Sequence, residues 1–506
     1  MRNVTHKIPK RLSDLDNAVF QENLSKFAQS AWRQASKVFK RLDPSLEPQV
    51  FVLAIPFDLD SNPVQLIPES DNYSVDRFRS IHGFIKDVCE SDLTDKLAFD
   101  VRGLIWQTKV DVKVAIQEIL TKDSGEALYE SFTTFPEFMY GHSVSLILQL
   151  SRTALASHYA LSKHTRWGFP AASLIYDIIS AFLYATLTPL EKLERGQSWF
   201  SLKENGDDLF RRAGFWLMKG VESACKTEES ELITENLFRP CNVISSLPYE
   251  GNEGRGEMII SRRGHPNIEV ALELDAPLKP SNYRGIRKLL EMTSNGLNLL
   301  CDSSNIYGFG RLNKRPYDHD QEDLFTIQFT SHYQWKLFHT DEELMVVTYG
   351  IPNLPTKPIE RDSFSGRLRA LFKQVSDENV EDLWLVIQRA IQQKRGTMLV
   401  ISDEAEKEAR RLRKQSTLIR PIRLIPELIL PISSIDGAVL IDPQNTCYAI
   451  GVILDGMASD RGSRARGARY NSAIRYLDYV KSQNRSSITI VISEDGMVDL
   501  LASDMN

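Results

Sequence analysis

The stretch Asp436-Gly437-Ala438-Val439-Leu440-Ile441-Asp442-Pro443-Gln444-Asn445 sets a turn, an apolar run and a second turn end to end. Four apolar residues bounded by Gly and by Asp-Pro read as a central strand. Asp442-Pro443-Gln444-Asn445 has the composition of a tight turn, so residues 447–453 return as the second arm of a hairpin. At the other end, Asp436-Gly437 falls where a predicted helix gives way to the strand. Glycine keeps that turn open to a ligand, and the carboxylate projects beside it. By itself an Asp-Gly pair marks only a turn.

Upstream, Val380, Leu383, Trp384, Ile387 and Ile391 form one helical stripe that stops at Gly396, and residues 397–401 follow as a buried strand. A charged helix spans residues 404–414. Downstream, residues 468–482 read as a helix and 488–492 as a strand, and Asp495-Gly496 turns the chain into a last strand at 498–501. Helices alternating with strands predict an α/β sandwich around one sheet. Pro352, Pro355 and Pro358 mark an extended boundary before it, which places this domain at 359–506.

Two further elements in this region suit an anion. Gly467-Ala468-Arg469-Tyr470-Asn471-Ser472-Ala473 opens the helix and is preceded by Arg461, Arg464 and Arg466. Free backbone N–H groups at a helix start favour phosphate, and arginine adds bidentate hydrogen bonds. Ser493-Glu494-Asp495-Gly496 ends the next strand and brings a second carboxylate near the same sheet edge.

In this order, and preceded by Arg395-Gly396-Thr397, these elements resemble the diadenylate cyclase domain of the DNA-integrity scanning (DisA) type over the last 130 to 145 residues. The resemblance implies a mixed sheet flanked by helices. It also implies joining of two ATP molecules into cyclic di-AMP with Mg2+ or Mn2+. On that basis Asp436 binds metal and activates the attacking 3′-hydroxyl, and Arg469 and Ser472 hold phosphates. Gly437, Ala438 and Ile453 line the nucleotide pocket, with Glu494 beside it. Gly467, Ala468, Tyr470, Asn471 and Ser493 complete the expected nucleotide contacts. Tyr470 and Asn471 stand where the family motif has His and Arg, which removes positive charge; losing one cationic donor can cost about 2 to 4 kcal/mol of transition-state stabilisation. Arg464 or Arg466 is the expected compensation. A symmetric product further implies a homo-oligomer in which C-terminal domains meet face to face. The alternative is a receptor of the same fold that binds a nucleotide or cyclic dinucleotide without turnover.

The rest of the chain gives architecture without chemistry. A length of 506 residues calls for several cores, and 42% apolar with 25% charged residues is ordinary globular composition. The net charge of −6 gives no indication of a nucleic-acid partner. Five cysteines without C-x-x-C spacing, and an N-terminus without an apolar run, point to the cytoplasm. Residues 171–190 are mostly apolar but carry Asp177, which favours a buried helix over a membrane span. Residues 18–42 carry an amphipathic stripe and 50–55 a strand, whereas 110–225 read as mainly helical. Residues 1–240 are therefore expected to form a mixed, helix-dominated domain. Strand-like runs at 257–261, 268–274, 324–329, 334–339 and 343–349 make 241–350 a strand-rich sensor domain. The expected fold class is thus α/β (α+β mixed) and multidomain. Residues 289–302 and 428–442 share a pattern in which Asn295-Gly296 takes the place of Asp436-Gly437; a degenerate internal repeat and two unrelated helix-turn-hairpin units both account for it, the second at least as well.

Overall fold

The structure is a computed structural model describing residues 14–59, 62–69, 75–85, 98–122, 128–161, 165–166, 169–170, 173–194, 206–225, 236–250, 255–313, 315–355, 359, 361–393, 396–456, 468–493 and 498–504. The chain divides into two compact units, Met1–Pro355 and Thr356–Asn506, and its class is mixed α/β.

In the first unit the strand Gln49–Pro56 lies between Gln65–Ile67 and His142–Ser151, antiparallel to both. Val50, Val52 and Ala54 enter one core with the helix Asp14–Leu42, while Phe51, Leu53 and Ile55 enter another with Val112 and Ile116. Side chains alternate across a strand, so a strand covered on both sides must be apolar at every position. Part of the segment expected to be mainly helical therefore folds differently. Within 110–225 lie Tyr129–Thr133, Glu137–Met139 and the ten-residue strand His142–Ser151. Val144, Leu146, Leu148 and Leu150 line one face of that strand, and Ser143, Ser145 and Gln149 alternate with them. The apolar segment at 171–190 is the helix Leu174–Glu194, whose Ile175, Ile178, Ile179 and Phe182 are buried in the core. Among the described residues no helix is long and apolar enough to cross a membrane.

The second sheet of this unit has eight strands. In spatial order they are Ile351–Asn353, Glu342–Thr348, Gln334–His339, Leu324–Ser331, Gly256–Ser261, Asn298–Cys301, Ile306–Leu312 and Ile268–Leu278. Trp335, Leu337 and Phe309 from this sheet share a core with Phe27, Leu146 and Leu217.

In the second unit we number the elements α1 (Arg361–Leu371), α2 (Asp377–Ile391), β1 (Thr397–Ser402), α3 (Ala405–Arg411), β2 (Thr417–Arg423), α4 (Pro426–Ile432), β3 (Ala438–Ile441), β4 (Thr446–Val452), α5 (Ala468–Ser482), β5 (Ser487–Ile492) and β6 (Val498–Ala502). The sheet runs β2-β4-β3-β1-β5-β6, with β1 and β3 parallel and every other pair antiparallel. Leu399, Ile401, Val439, Ile441 and Ile490 point to a core shared with α1 and α2, through Phe364, Leu368, Leu383 and Ile387. Met398, Val400, Leu440 and Val491 point the other way, to Ala409 of α3 and Ala473, Tyr476 and Val480 of α5. The predicted sandwich is thus a mixed sheet with helices on both faces. Topologically, the eight-stranded sheet contains the same figure. Its strands Gly256–Ser261, Ile268–Leu278, Asn298–Cys301, Ile306–Leu312, Leu324–Ser331 and Gln334–His339 repeat the order and directions of β1 to β6, including the parallel first and third strands. The two segments matched in sequence fall at the same step of both sheets, with Tyr283–Leu290 in the place of α4.

Candidate nucleotide site

Strand direction gathers the predicted residues. Met398 pairs with Ala438 in parallel, Ala438 with Val452 antiparallel, and Thr397 with Ile492 antiparallel. The start of β1, the start of β3, the end of β4 and the end of β5 therefore share one end of the sheet. Asp436-Gly437, Ile453 and Ser493 immediately flank those strand ends.

The turn before β3 is held by its backbone. Gly437 has φ +110°, and a Cβ there would sit 2.5 Å from the Gly451 carbonyl carbon and 2.8 Å from the Val452 nitrogen. Beyond β3, Asp442 fixes the hairpin: its carboxylate accepts from the amides of Gln444 (2.9 Å) and Thr446 (2.8 Å) and from the Tyr448 hydroxyl (3.0 Å). Burial and this contact with the Asp442 carboxylate push the Tyr448 hydroxyl up to about 12.

Asp436 projects into solvent with its side chain 81% exposed, and Arg469 from the first turn of α5 reaches it, Nη2 to Oδ1, at 3.4 Å. The Arg469 side chain is 28% exposed. Ala468 opens the helix and is exposed, and Tyr470 packs against the core beneath α5. Ser472 is half-buried; its hydroxyl accepts from Arg475 Nη2 at 3.1 Å, while the Asn471 carbonyl accepts from Arg475 Nε at 3.2 Å. Ala438 is fully buried. Ile453 is 49% exposed, and its amide donates to the Gln415 carbonyl at 3.0 Å. Gly467, Glu494, Arg395, Arg461, Arg464, Arg466, Asp495 and Gly496 lie outside the described residues.

Three residues at this sheet end escaped the sequence reading. Ile435 is 47% exposed, and its Cδ1 would lie 2.9 Å from a Cβ at Gly451. With Ile453 it presents exposed apolar surface at the end of the sheet that also carries Asp436. Gly451 was the available signal, because a glycine inside a strand marks close approach of backbone or ligand. Arg475 left no sequence signal of its own.

Residues 386–505 match the family described as DisA bacterial checkpoint controller nucleotide-binding, the DAC domain. The chain contains a DAC domain. Residues 21–218 match the probable sensor domain DACNG, and residues 235–341 the probable sensor domain DACNH. The chain is therefore a diadenylate cyclase-like protein with sensor domains preceding its DAC domain. None of the curated proteins compared with it matches.

Proposed function

We propose that this DAC-domain protein condenses two ATP molecules into cyclic di-AMP in the cytoplasm. Residues 359–506 carry the chemistry, and residues 1–240 and 241–350 sense the signal that regulates it. One observation carries the reading: within a DAC domain, an exposed carboxylate and a guanidinium from a helix start stand 3.4 Å apart at the sheet end where the other candidate residues gather.

In each step a 3′-oxygen forms a bond to the α-phosphorus of the other ATP as the bond to pyrophosphate breaks, and the hydroxyl proton leaves. Asp436 is placed to accept that proton or to orient the hydroxyl, and its exposure leaves room for both substrate and ion. Arg469 and the amides that open α5 stabilise negative charge on the transferred phosphorus and on the departing pyrophosphate. Exposed Ile435 and Ile453 offer apolar surface for a base. Among the described residues no cluster of three or more His, Cys, Asp or Glu side chains could hold a metal by itself. A single carboxylate completed by phosphate oxygens and water suits Mg2+ or Mn2+, which are oxygen-seeking and keep several waters. Such an ion, held by Asp436, would neutralise phosphate charge. Two such sites must face each other for the ring to close, so the active species is a symmetric homo-oligomer.

Incubation of the full chain with ATP and Mn2+, with product mass read directly, tests the proposal. The expected result is cyclic di-AMP from the wild type and at least about 100-fold less from Asp436→Asn, the scale of losing a group that acts only in the transition state. Tight ATP binding with no product at any protein concentration would replace the cyclase with a nucleotide receptor.

A further inference from the structure

We propose that Arg475 is a phosphate-binding residue of the nucleotide site, a role that rests on the reading of that site as an ATP site. Arg469, Ser472 and Arg475 recur every third residue along α5 and so lie on one ridge of the helix. Helical side chains slant toward the N-terminus, which lets a residue two turns in reach back to the first turn. Arg475 does so: its Nε donates to the Asn471 carbonyl at 3.2 Å and its Nη2 to the Ser472 hydroxyl at 3.1 Å. The guanidinium is thereby anchored beside a hydroxyl of the proposed phosphate cradle. Two of its five N–H donors are engaged there, and the fork can still grip a phosphate.

Like Arg389 of α2, which donates to the neutral Gln392 side-chain amide, Arg475 has no carboxylate partner among the described residues, but it stands on the helix that carries Arg469. In the same unit Arg361 pairs with Glu381, Arg367 with Asp504, Arg411 with Glu408 and Asp455, Arg423 with Asp382, and Arg485 with Glu408. Those arginines are neutralised by carboxylates. Among the described residues no carboxylate pairs with Arg475, and its two hydrogen bonds go to neutral oxygens at the start of the helix. Charge balance at the site calls for such a group. Among the described residues Asp436 and Arg469 cancel each other, whereas a triphosphate remains anionic even with one divalent ion bound. A second guanidinium on the same ridge supplies the missing charge without adding a residue to the core.

The consequence is selectivity for phosphate number. The test is calorimetry on the full chain with ATP and, separately, AMP, both with Mg2+. In Arg475→Gln, which removes the charge and keeps only a shorter neutral amide donor, ATP affinity is expected to fall by about 10- to 100-fold and AMP affinity by less than about 3-fold. Arg475→Lys, which keeps the charge, is expected to hold the ATP-to-AMP preference within about 3-fold of wild type. A purely structural role predicts something else: a lower melting temperature and equal weakening of both ligands, a result that overturns the assignment. Wild-type affinity for ATP in Arg475→Gln overturns it as well. A wild-type chain that binds no ATP would instead remove the nucleotide reading of the site, and this inference with it.

Discussion

Gly437 and Gly451 face each other across the β3–β4 pairing, yet substitution at the two should differ. At Gly437 an added Cβ meets only backbone, at 2.5 to 2.8 Å, from a φ of +110° that L-residues avoid. Neither strand can retreat without breaking the pairing of Ala438 with Val452. At Gly451 the nearest atom is the tip of the half-exposed Ile435 side chain, and φ is +58°, within the left-handed region. Ile435 can rotate away, which leaves mainly the left-handed penalty of about 1 to 2 kcal/mol. Gly437→Ala is therefore expected to destabilise the C-terminal unit by roughly 2 to 4 kcal/mol, combining overpacking with backbone strain. Urea denaturation of the two variants checks the ordering; equal losses would mean that the turn before β3 is looser than its geometry indicates.

Elements α3 and α5 meet through charge around the exit from β4. Arg411 of α3 grips Asp455 with both Nη atoms at 2.6 Å, stacks on Tyr479 of α5 at 4.7 Å, and binds the buried Glu408, which Arg485 also contacts at 3.0 Å. One residue beyond Asp455, Gly456 lies so close to the Arg475 carbonyl that a Cβ would fall 2.4 Å from its oxygen. The chain leaving β4 is thus clamped between the two helices. Hydrogen bonding from Arg411 holds the Asp455 carboxyl below the usual carboxylate range against the opposing effect of burial. A lowered folded-state pKa means that the stabilisation is present above the ordinary carboxylate value of about 4 and is lost as the pH falls through the lowered one. Asp455→Asn is expected to remove that part of the acid dependence. At neutral pH it should cost no more than about 1 kcal/mol, because the pair is partly exposed. Denaturation of wild type and variant from about pH 7 to 3 separates this from a silent surface pair, whose removal leaves the two curves parallel.

What the sequence showed of these elements follows from how each is buried. The bounds of α5 and of β3 were legible because both bury a regular apolar stripe. Strand β2 was not, since it is an edge strand with almost every residue exposed and Pro421 inside it, so neither alternation nor propensity marks it. A register shift between Leu418 and Ile422 accommodates that proline. At the site, the Asp436 turn and the Arg469 helix start could be read from residue type and order, but Arg475 and Ile435 could not. Their roles depend on which way a side chain leans and which backbone lies opposite, and one sequence records neither.

The whole molecule contains the β1-to-β6 figure twice, and the two copies differ where a phosphate would bind. In the DAC domain the fourth and fifth strands are joined through α5, which carries Arg469, Ser472 and Arg475. In the DACNH segment the described residues between Leu312 and Leu324 contain only a short helical turn, His319–Gln321, so no long helix presents a cationic first turn there. At the turn into the third strand, Asn295-Gly296 stands in place of Asp436-Gly437; the positive φ is shared by the two glycines and in this copy extends to Asn295, but the carboxylate is gone. An amide oxygen can touch a divalent ion but brings none of a carboxylate's charge, and a turn cannot supply the row of N–H groups that a helix start offers. The sensor copy is therefore expected to keep the sheet without the triphosphate site. Calorimetric titration of the full chain with ATP and Mg2+ should give a stoichiometry near one per chain, and Arg469→Ala should abolish saturable binding altogether. A second class of ATP sites that persists in Arg469→Ala would show that the upstream sheet binds nucleotide by other groups. The loss of α5 and of the carboxylate would then not be what distinguishes the DACNH segment from the DAC domain.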